Sequence, residues 1–559
     1  MNIIFKLIPG LQMFRTYKAE WFTKDLAAGL TVASIALPVG IAYSALADFP
    51  PEIGLYSTIL PMLAFALFGS SKKLIIGPDA ATLMMIVSAL VPFVALGAEV
   101  RHEACVVLSL LVGLLCIIGG IFRLGFIADF LSKPILTGYL NGLTFTIIIS
   151  QITKVFGYKT IDGGFLKVLV NFLSRLSETN ITTFIFGMSV ILFLLICKKV
   201  SRKIPAALIA SVGGGVVVYF LGLQNYGVAV IGNIPGGLPS LNIPQINVSE
   251  ISALMPAALS IFLMSYCSGM LTDKSFASKT GDEVNANREF FGFGAADIAS
   301  GISGGFVVSG ADSKTAVAIS LGSKTQLTSI IAAVTLSLIL LFFTSPLAYL
   351  PTAALGAIVI VSAMGFFDTT YLKKLYRINK KEFLLSVFTS LAVMTIGVLE
   401  GVIIAVALAV LLLIARAAKP ADTLIGRAPN SDTYQDIDLL ETREPTPGII
   451  IYRFESALVF FNADYFKRRI KELISNSKDK PKLLLLDAGS INHLDSTGND
   501  ALEELINELE IMGIKISIVR TQKQFQNMIE KSGIAEKIGK ENFYPTIKTG
   551  VEAYQKNKK

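Results

Sequence analysis

From Asp25 to Ala418 the chain alternates apolar runs with short polar turns, and then its character changes. In the first half the runs fall near Asp25–Ala47, Gly54–Phe68, Leu83–Val94, Ala104–Ile121, Lys133–Val155, Thr182–Cys197 and Ala206–Leu223. In the second half they fall near Ile251–Leu271, Arg288–Phe306, the stretch ending at Leu321, Leu327–Phe343, Thr352–Met364, Glu382–Val398 and Val402–Ala417. Such runs predict membrane-crossing helices. Pro38-Val39-Gly40 predicts a break in the first, of the kind tolerated where a helix lines a cavity. The pattern therefore gives roughly fourteen segments. Seven plus seven makes an inverted repeat plausible, because an odd number reverses the orientation of the second half.

Composition agrees. Of 559 residues, 53% are hydrophobic and 16% charged, against about a quarter charged in soluble domains. The net charge of +8 reads as a positive-inside excess rather than a nucleic-acid footprint, since no basic stripe with interleaved aromatics accompanies it. The clusters Lys72/Lys73, Lys198/Lys199/Arg202/Lys203, Lys274/Lys279 and Lys373/Lys374/Arg377/Lys380/Lys381 all fall on one face when both termini are cytoplasmic. The turns at Glu99, Gln224–Ser249, Ser345–Leu350 and Glu400 fall on the other and, apart from Arg101, lack positive charge. This is the pattern of a multi-pass protein of the cell (inner or plasma) membrane. Tyr158 to Arg175 departs from it and predicts an amphipathic segment lying on the interface. Residues 1–24 read as a cytoplasmic segment, basic and aromatic, without a cleavable signal.

Residues 419–447 read as a polar, Pro-containing linker, and 448–559 as a soluble α/β domain. Ile449–Tyr452, Leu483–Asp487 and Ile514–Val519 are short apolar strands; Ala463–Ser475, Ser496–Met512 and Gln522–Ser532 are helical patterns between them. That alternation predicts a covered sheet. Cys105, Cys116, Cys197 and Cys267 give neither a disulfide framework nor a metal spacing, and His102 and His493 lie far apart. No cofactor is expected. Without a nucleophile–base pair, metal cluster or phosphate loop, an enzyme is not expected either.

The candidate chemistry lies at membrane depth. Val308-Ser309-Gly310-Ala311-Asp312-Ser313-Lys314-Thr315-Ala316-Val317 carries an acid, a base and three hydroxyls between apolar segments. Ionisable residues there are costly and mark cavities or pathways. The pattern predicts a helix that begins inside the membrane and points free N–H groups, its positive dipole end and Lys314 at an anion. Gly77-Pro78-Asp79-Ala80-Ala81-Thr82 has the same character in the first half. Paired, interrupted segments at matching places point to a secondary transporter's binding site. Asp79 is read chiefly as a helix cap, and Asp297 as a buried, hydrogen-bonded residue.

The run Pro50-Pro51-Glu52-Ile53-Gly54-Leu55-Tyr56-Ser57 through Pro61, with Phe68-Gly69-Ser70-Ser71-Lys72 and Gly77-Pro78-Asp79-Ala80, resembles the signature of the sulfate-permease (SulP, solute carrier family 26) anion transporters. Asn287-Arg288-Glu289, Gly292, Gly304-Gly305-Phe306 and Ser313-Lys314-Thr315-Ala316-Val317 resemble its second half, and Asp495-Ser496-Thr497-Gly498 resembles a STAS domain. The resemblance covers nearly the whole chain. It implies fourteen segments in a 7+7 inverted repeat, divided into core and gate domains, with a cytoplasmic STAS domain, a homodimer and an elevator-like motion. It places a small anion between the third and tenth segments, at Gly77, Asp79, Ala80, Ala81, Gly310, Ala311, Ser313, Lys314 and Thr315, with Tyr43 from the first segment. Sulfate is the family-weighted substrate; bicarbonate, chloride and dicarboxylates fit the same chemistry.

The departures carry expectations of their own. Ser268 stands where the eighth segment usually has an acid linked to H⁺ or Na⁺ coupling, while Asp312 stands where relatives carry an uncharged residue. The acid is therefore expected to have moved across the site, with Ser268 and Thr272, one helical turn apart, completing a cation site. The alternative is that Asp312 caps its helix or neutralises Lys314. Lys314 replaces the usual Arg, a point charge for a planar fork, and Val39 replaces a Gln. Asp495 and Thr497 are regulatory candidates or, equally, a turn and helix cap. Coupled transport competes with an uncoupled channel or uniport of the same fold, and with a membrane sensor that signals through the STAS domain.

Overall fold

The structure, a computed structural model, describes residues 8–129, 133–158, 165–200, 204–241, 248–428, 433–437, 446–477 and 479–556. Lys159, Arg202 and Lys203 among the basic positions, and 242–247 of the long polar loop, lie outside the described residues. Two compact units are present, Met1–Ala407 and Leu408–Lys559.

The first unit is helical. Its segments are α1 (Phe22–Leu46), α2 (Pro51–Phe68), α3 (Ala80–Ala89), α4 (Ala98–Ile121), α5 (Lys133–Phe156), α6 (Ile181–Val200) and α7 (Ala206–Phe220), then α8 (Val248–Thr280), α9 (Ala286–Ile302), α10 (Asp312–Ser320), α11 (Leu327–Phe342), α12 (Thr352–Ala363), α13 (Lys380–Thr395) and α14 (Val398–Ala418), the last running on past Ala407. Two short strands, β1 (Ile76–Gly77) and β2 (Ser309–Gly310), stand just ahead of α3 and α10. The expected break at Pro38 is absent: α1 runs unbroken through Pro38. Neighbouring helices stabilise such a helix, and Gly40 lets α1 pack backbone-to-backbone against Gly54 of α2. The third segment is shorter than the apolar run, because Pro92 disfavours helix at the residue before it, and the chain passes into a 3₁₀ turn, Val91–Leu96.

The packing pairs carry the repeat. α9 packs on α2 and α4, and α11 packs on α1 and α2; α8 packs on α4 and α3; α10 packs on α1. These helices form a core group. α12 packs on α5 and α6, and α13 on α5, which forms a gate group. A shift of seven segments turns α2·α11 into α9·α4, α1·α11 into α8·α4, α3·α8 into α10·α1, and α6·α12 into α13·α5. All of these pairs are present, as an inverted repeat requires.

Among the described residues two short α-helices lie between spans. Phe165–Ser174 is the amphipathic segment expected between α5 and α6: Val168 and Phe172 are buried, with Phe172 against Phe156. Thr369–Ile378, between α12 and α13, is not foreseen by the apolar pattern.

The second unit holds β3 (Asp422–Arg427), β4 (Tyr434–Asp436), β5 (Ile449–Phe454), β6 (Leu483–Asp487), β7 (Lys515–Val519) and β8 (Phe543–Tyr544). They form one sheet of order β4-β3-β5-β6-β7-β8. The strands from β5 to β8 are parallel. Alternation along β5 and β6 sorts the core. Ile450, Tyr452, Phe454, Leu484 and Leu486 face one apolar cluster, and Ile449, Ile451, Leu483 and Leu485 the other. The expected linker is not merely a tether. Within it β3 pairs antiparallel with β5, and β4 with β3. Its polar, Pro-containing composition hid two short strands, of which β4 forms the edge of the sheet.

Candidate anion site

The two short strands join the half-helices. β1 pairs antiparallel with β2, with Ile76 opposite Gly310 and Gly77 opposite Ser309. All four residues are buried. α3 and α10 therefore start from one point inside the core group. α8 backs this crossing closely: a side chain at Gly310 would place its Cβ 2.9 Å from the Cα of Gly269. The Ser309 hydroxyl also donates to the Ser265 carbonyl of α8 at 2.8 Å.

The two helix starts are chemically unlike. Asp79 caps α3, and its Oδ2 accepts from the amides of Ala81 (3.1 Å) and Thr82 (3.3 Å). The Ala80 amide meets the hydroxyl of buried Tyr43. Neither the Ala80 nor the Ala81 amide is therefore bare: Tyr43 holds the first, and Asp79, as an acidic N-cap, the second. α10 starts at Ala311 with no side-chain cap bond. The Ala311 amide is taken by the Ile75 carbonyl at 2.8 Å, and the Thr315 hydroxyl accepts from the Ile75 amide at 3.0 Å. The Ala311 amide is thus occupied by the residue just ahead of β1, while the Thr315 hydroxyl, which accepts there, keeps its own O–H to donate. The amides of Ser313 and Lys314 stand in the helix's first turn, where no intrahelical acceptor exists, and the Ser313 side chain is exposed.

Lys314 is 1% exposed, and its Nζ makes no hydrogen bond among the described residues. It lies against Gly77, within electrostatic reach of Asp79. A buried ammonium without a hydrogen bond is costly, and Asp79 is the acid that acts on it. Asp79 interacts electrostatically with both Asp312 and Lys314, giving two acids and one base around the crossing.

Of the three residues expected to hold a cation, Thr272 and Asp312 are in hydrogen-bond contact, and Ser268 is reached through its backbone carbonyl. Thr272 Oγ1 donates to Asp312 Oδ1 at 2.6 Å and lies 3.0 Å from the Ser268 carbonyl. Asp312 is exposed and Ser268 half-buried. Asp297 is buried, with Oδ1 accepting from the Val308 amide at 2.9 Å, so it braces the chain ahead of β2.

Sequence reading misses three residues. Tyr139 of α5 donates to the Ala81 carbonyl at 3.0 Å. Lys154 of α5 donates to the Ala45 carbonyl at the end of α1, at 2.9 Å. Both join gate to core. Thr82 Oγ1 is buried without a hydrogen bond beside the site. Tyr139 and Lys154 are polar residues in an apolar run, and that was the available signal.

In the second unit Asp495 caps the helix Ser496–Ile511. Its Oδ1 accepts from the Gly498 amide (2.7 Å) and its Oδ2 from the Phe460 amide (2.9 Å). Thr497 is exposed in the first turn. At the end of β6, Asp487 receives a two-pronged bond from Arg520 (Nε to Oδ1 at 2.8 Å, Nη2 to Oδ2 at 2.5 Å) and another from Arg453 at 2.8 Å. Burial would raise the Asp487 carboxyl, but these guanidinium bonds outweigh it and hold it below the usual carboxylate range.

Residues 22–389 match the model of the Sulfate permease family, and 442–550 that of the STAS domain. A probable sulfate transporter of Mycobacterium tuberculosis is 35% identical over 550 residues, covering 98% of each chain. The chloroplastic sulfate transporter 4.1 of Arabidopsis thaliana is 29% identical over 565 residues, covering 98% of this chain and 82% of the relative. Murine Solute Carrier 26 family member A9, an anion transporter solved in the inward-facing state, superposes with a TM-score of 0.91 at 23% identity, covering 99% of this chain and 95% of that one.

Proposed function

Because this chain belongs to the sulfate permease family, we propose that it is a secondary active transporter in which Lys314 and the start of α10 hold a sulfate ion. Anion transport across a membrane is the family's activity, and the protein is not an enzyme. The observation that carries the finer reading is the Lys314 amine, buried without a hydrogen bond among the described residues, at the β1–β2 crossing. Ser313 supplies a hydroxyl and, with Lys314, first-turn amides. Tyr43 and Asp79 shape the opposite wall.

Movement of the core group against the gate group would carry the anion. Lys154 and Tyr139 hold the two groups together in this state, so an elevator stroke breaks those bonds. Asp312, with Thr272 and Ser268, takes up H⁺ or Na⁺. The protein works as a homodimer in the inner or plasma membrane, with both termini cytoplasmic. Thr497 is the accessible regulatory position of the STAS domain.

The test is counterflow on the purified full-length protein with sulfate, bicarbonate, chloride and dicarboxylates, repeated for Lys314→Gln. Sulfate exchange that needs a much higher sulfate concentration in the variant supports the reading; equal exchange in both rejects it. A second reading, uncoupled conduction, is favoured by Ser268 standing where the eighth segment's acid is expected. Flux that ignores imposed proton and sodium gradients would select it.

A further inference from the structure

A concentration of charge that the anion site does not use lies between α12 and α13. The helix Thr369–Ile378 contains Lys373, Lys374 and Arg377 and no acid, and Lys380 and Lys381 open α13 directly after it. All five cations are exposed. Among the described residues none of them forms an ion pair; Lys380 rests over the Tyr376 ring at 5.9 Å. The two flanking acids are engaged locally. Asp368 caps the helix by accepting from the Tyr371 amide at 2.8 Å, and Glu382 accepts from Asn379 at 3.0 Å. A sixth cation, Lys133 at the start of α5, sits over the Tyr371 ring at 4.5 Å.

The helix is two-faced. Leu375 is buried, while Tyr376 and Ile378 stand 55% and 70% exposed. Thr370, Lys373, Lys374, Arg377 and Ile378 line an open hollow of about 590 Å³. A short basic helix held between two spans, with a tyrosine and an isoleucine beside its cations, has the composition of a membrane-interface element. Clusters of four or more Lys/Arg next to spans attract anionic lipid.

We propose that Thr369–Ile378 and the start of α13 form a binding surface for the phosphate headgroups of anionic phospholipids on the cytoplasmic side of the gate group. Lys373, Lys374 and Arg377 contact the phosphate in the hollow, and Tyr376 and Ile378 lie among the upper acyl chains. The surface is independent of Lys314 and uses lipid as a ligand rather than as cargo.

The experiment titrates the detergent-solubilised full-length protein with fluorescent phosphatidylglycerol, using phosphatidylcholine and inorganic phosphate as competitors. Phosphatidylglycerol is expected to bind, phosphatidylcholine not to displace it, and inorganic phosphate to displace it only weakly. The triple variant K373Q/K374Q/R377Q is expected to bind phosphatidylglycerol on the order of 100-fold more weakly, with unchanged thermal unfolding. Equal binding by variant and wild type overturns the proposal. So does displacement by millimolar phosphate, which would mark a free-anion site. Absence of phosphatidylglycerol binding together with loss of self-association in the variant would assign the patch to a protein contact and overturn it too.

Discussion

The Lys314 amine fills the space that a side chain at position 77 would need: a Cβ on Gly77 would stand 2.6 Å from Nζ, with Met62 next at 3.9 Å. Gly77→Ala must therefore push the end of a flexible side chain, not the backbone. Stability should change little, while anion binding falls with the displaced charge. Lys314→Gln removes the charge altogether. It should raise the half-saturating anion concentration by about 10- to 100-fold, the value of a charge-assisted hydrogen bond. Proteoliposome uptake of labelled sulfate checks both; normal uptake by Lys314→Gln would remove the site from its proposed place.

The Thr272–Asp312 bond makes a separate prediction about coupling. Asp312→Asn and Thr272→Val should abolish accumulation driven by a proton or sodium gradient while leaving exchange at equilibrium intact. Comparison of net uptake with counterflow separates the two. If both variants accumulate anion like wild type, Asp312 is a structural residue.

Lys154 joins α5 to the end of α1, so its loss should favour the alternative arrangement of core and gate. Lys154→Met forfeits one charged hydrogen bond, and the arrangement described above should lose about tenfold in relative population. Labelling of single cysteines facing the outer and inner sides reads the shift. Identical labelling patterns would mean that the contact does not govern the motion.

In the soluble unit, Asp487→Asn should cost about 2–3 kcal/mol, since it leaves two guanidinium groups, partly exposed, without their common partner. The pH dependence follows from the lowered carboxyl. A carboxylate depressed in the folded state contributes fully above its unfolded value of about 3.9, and the contribution is lost as pH falls through the folded value. Opening of β6, read by the protection of its amides from hydrogen exchange, should therefore become easier in acid in the wild type and be less acid-dependent in Asp487→Asn.

Apolar periodicity made the fourteen spans legible, and the Gly-rich starts at Gly77 and Gly310 marked where two of them meet. The crossing itself brings together residues far apart in the chain. What each helix start does with its amides was less legible. Asp79 competes with a solute for Ala81 and Thr82, and Thr315 is drawn to Ile75 by a strand pairing that no local pattern reveals. The same limit hid Lys154 and Tyr139, whose partners belong to the other helical group. Thr369–Ile378 escaped notice because its charges read as a loop, although their spacing suits one exposed face of a helix.

β3 has a practical consequence for anyone dividing the chain. A recombinant fragment begun at Gly448 would discard the strand that covers the end of β5, exposing the main-chain donors and acceptors of Tyr452 to Phe454 along a sheet border. Such borders recruit copies of themselves, so that fragment would precipitate or form multimers unrelated to the native assembly. The cut belongs ahead of Asp422.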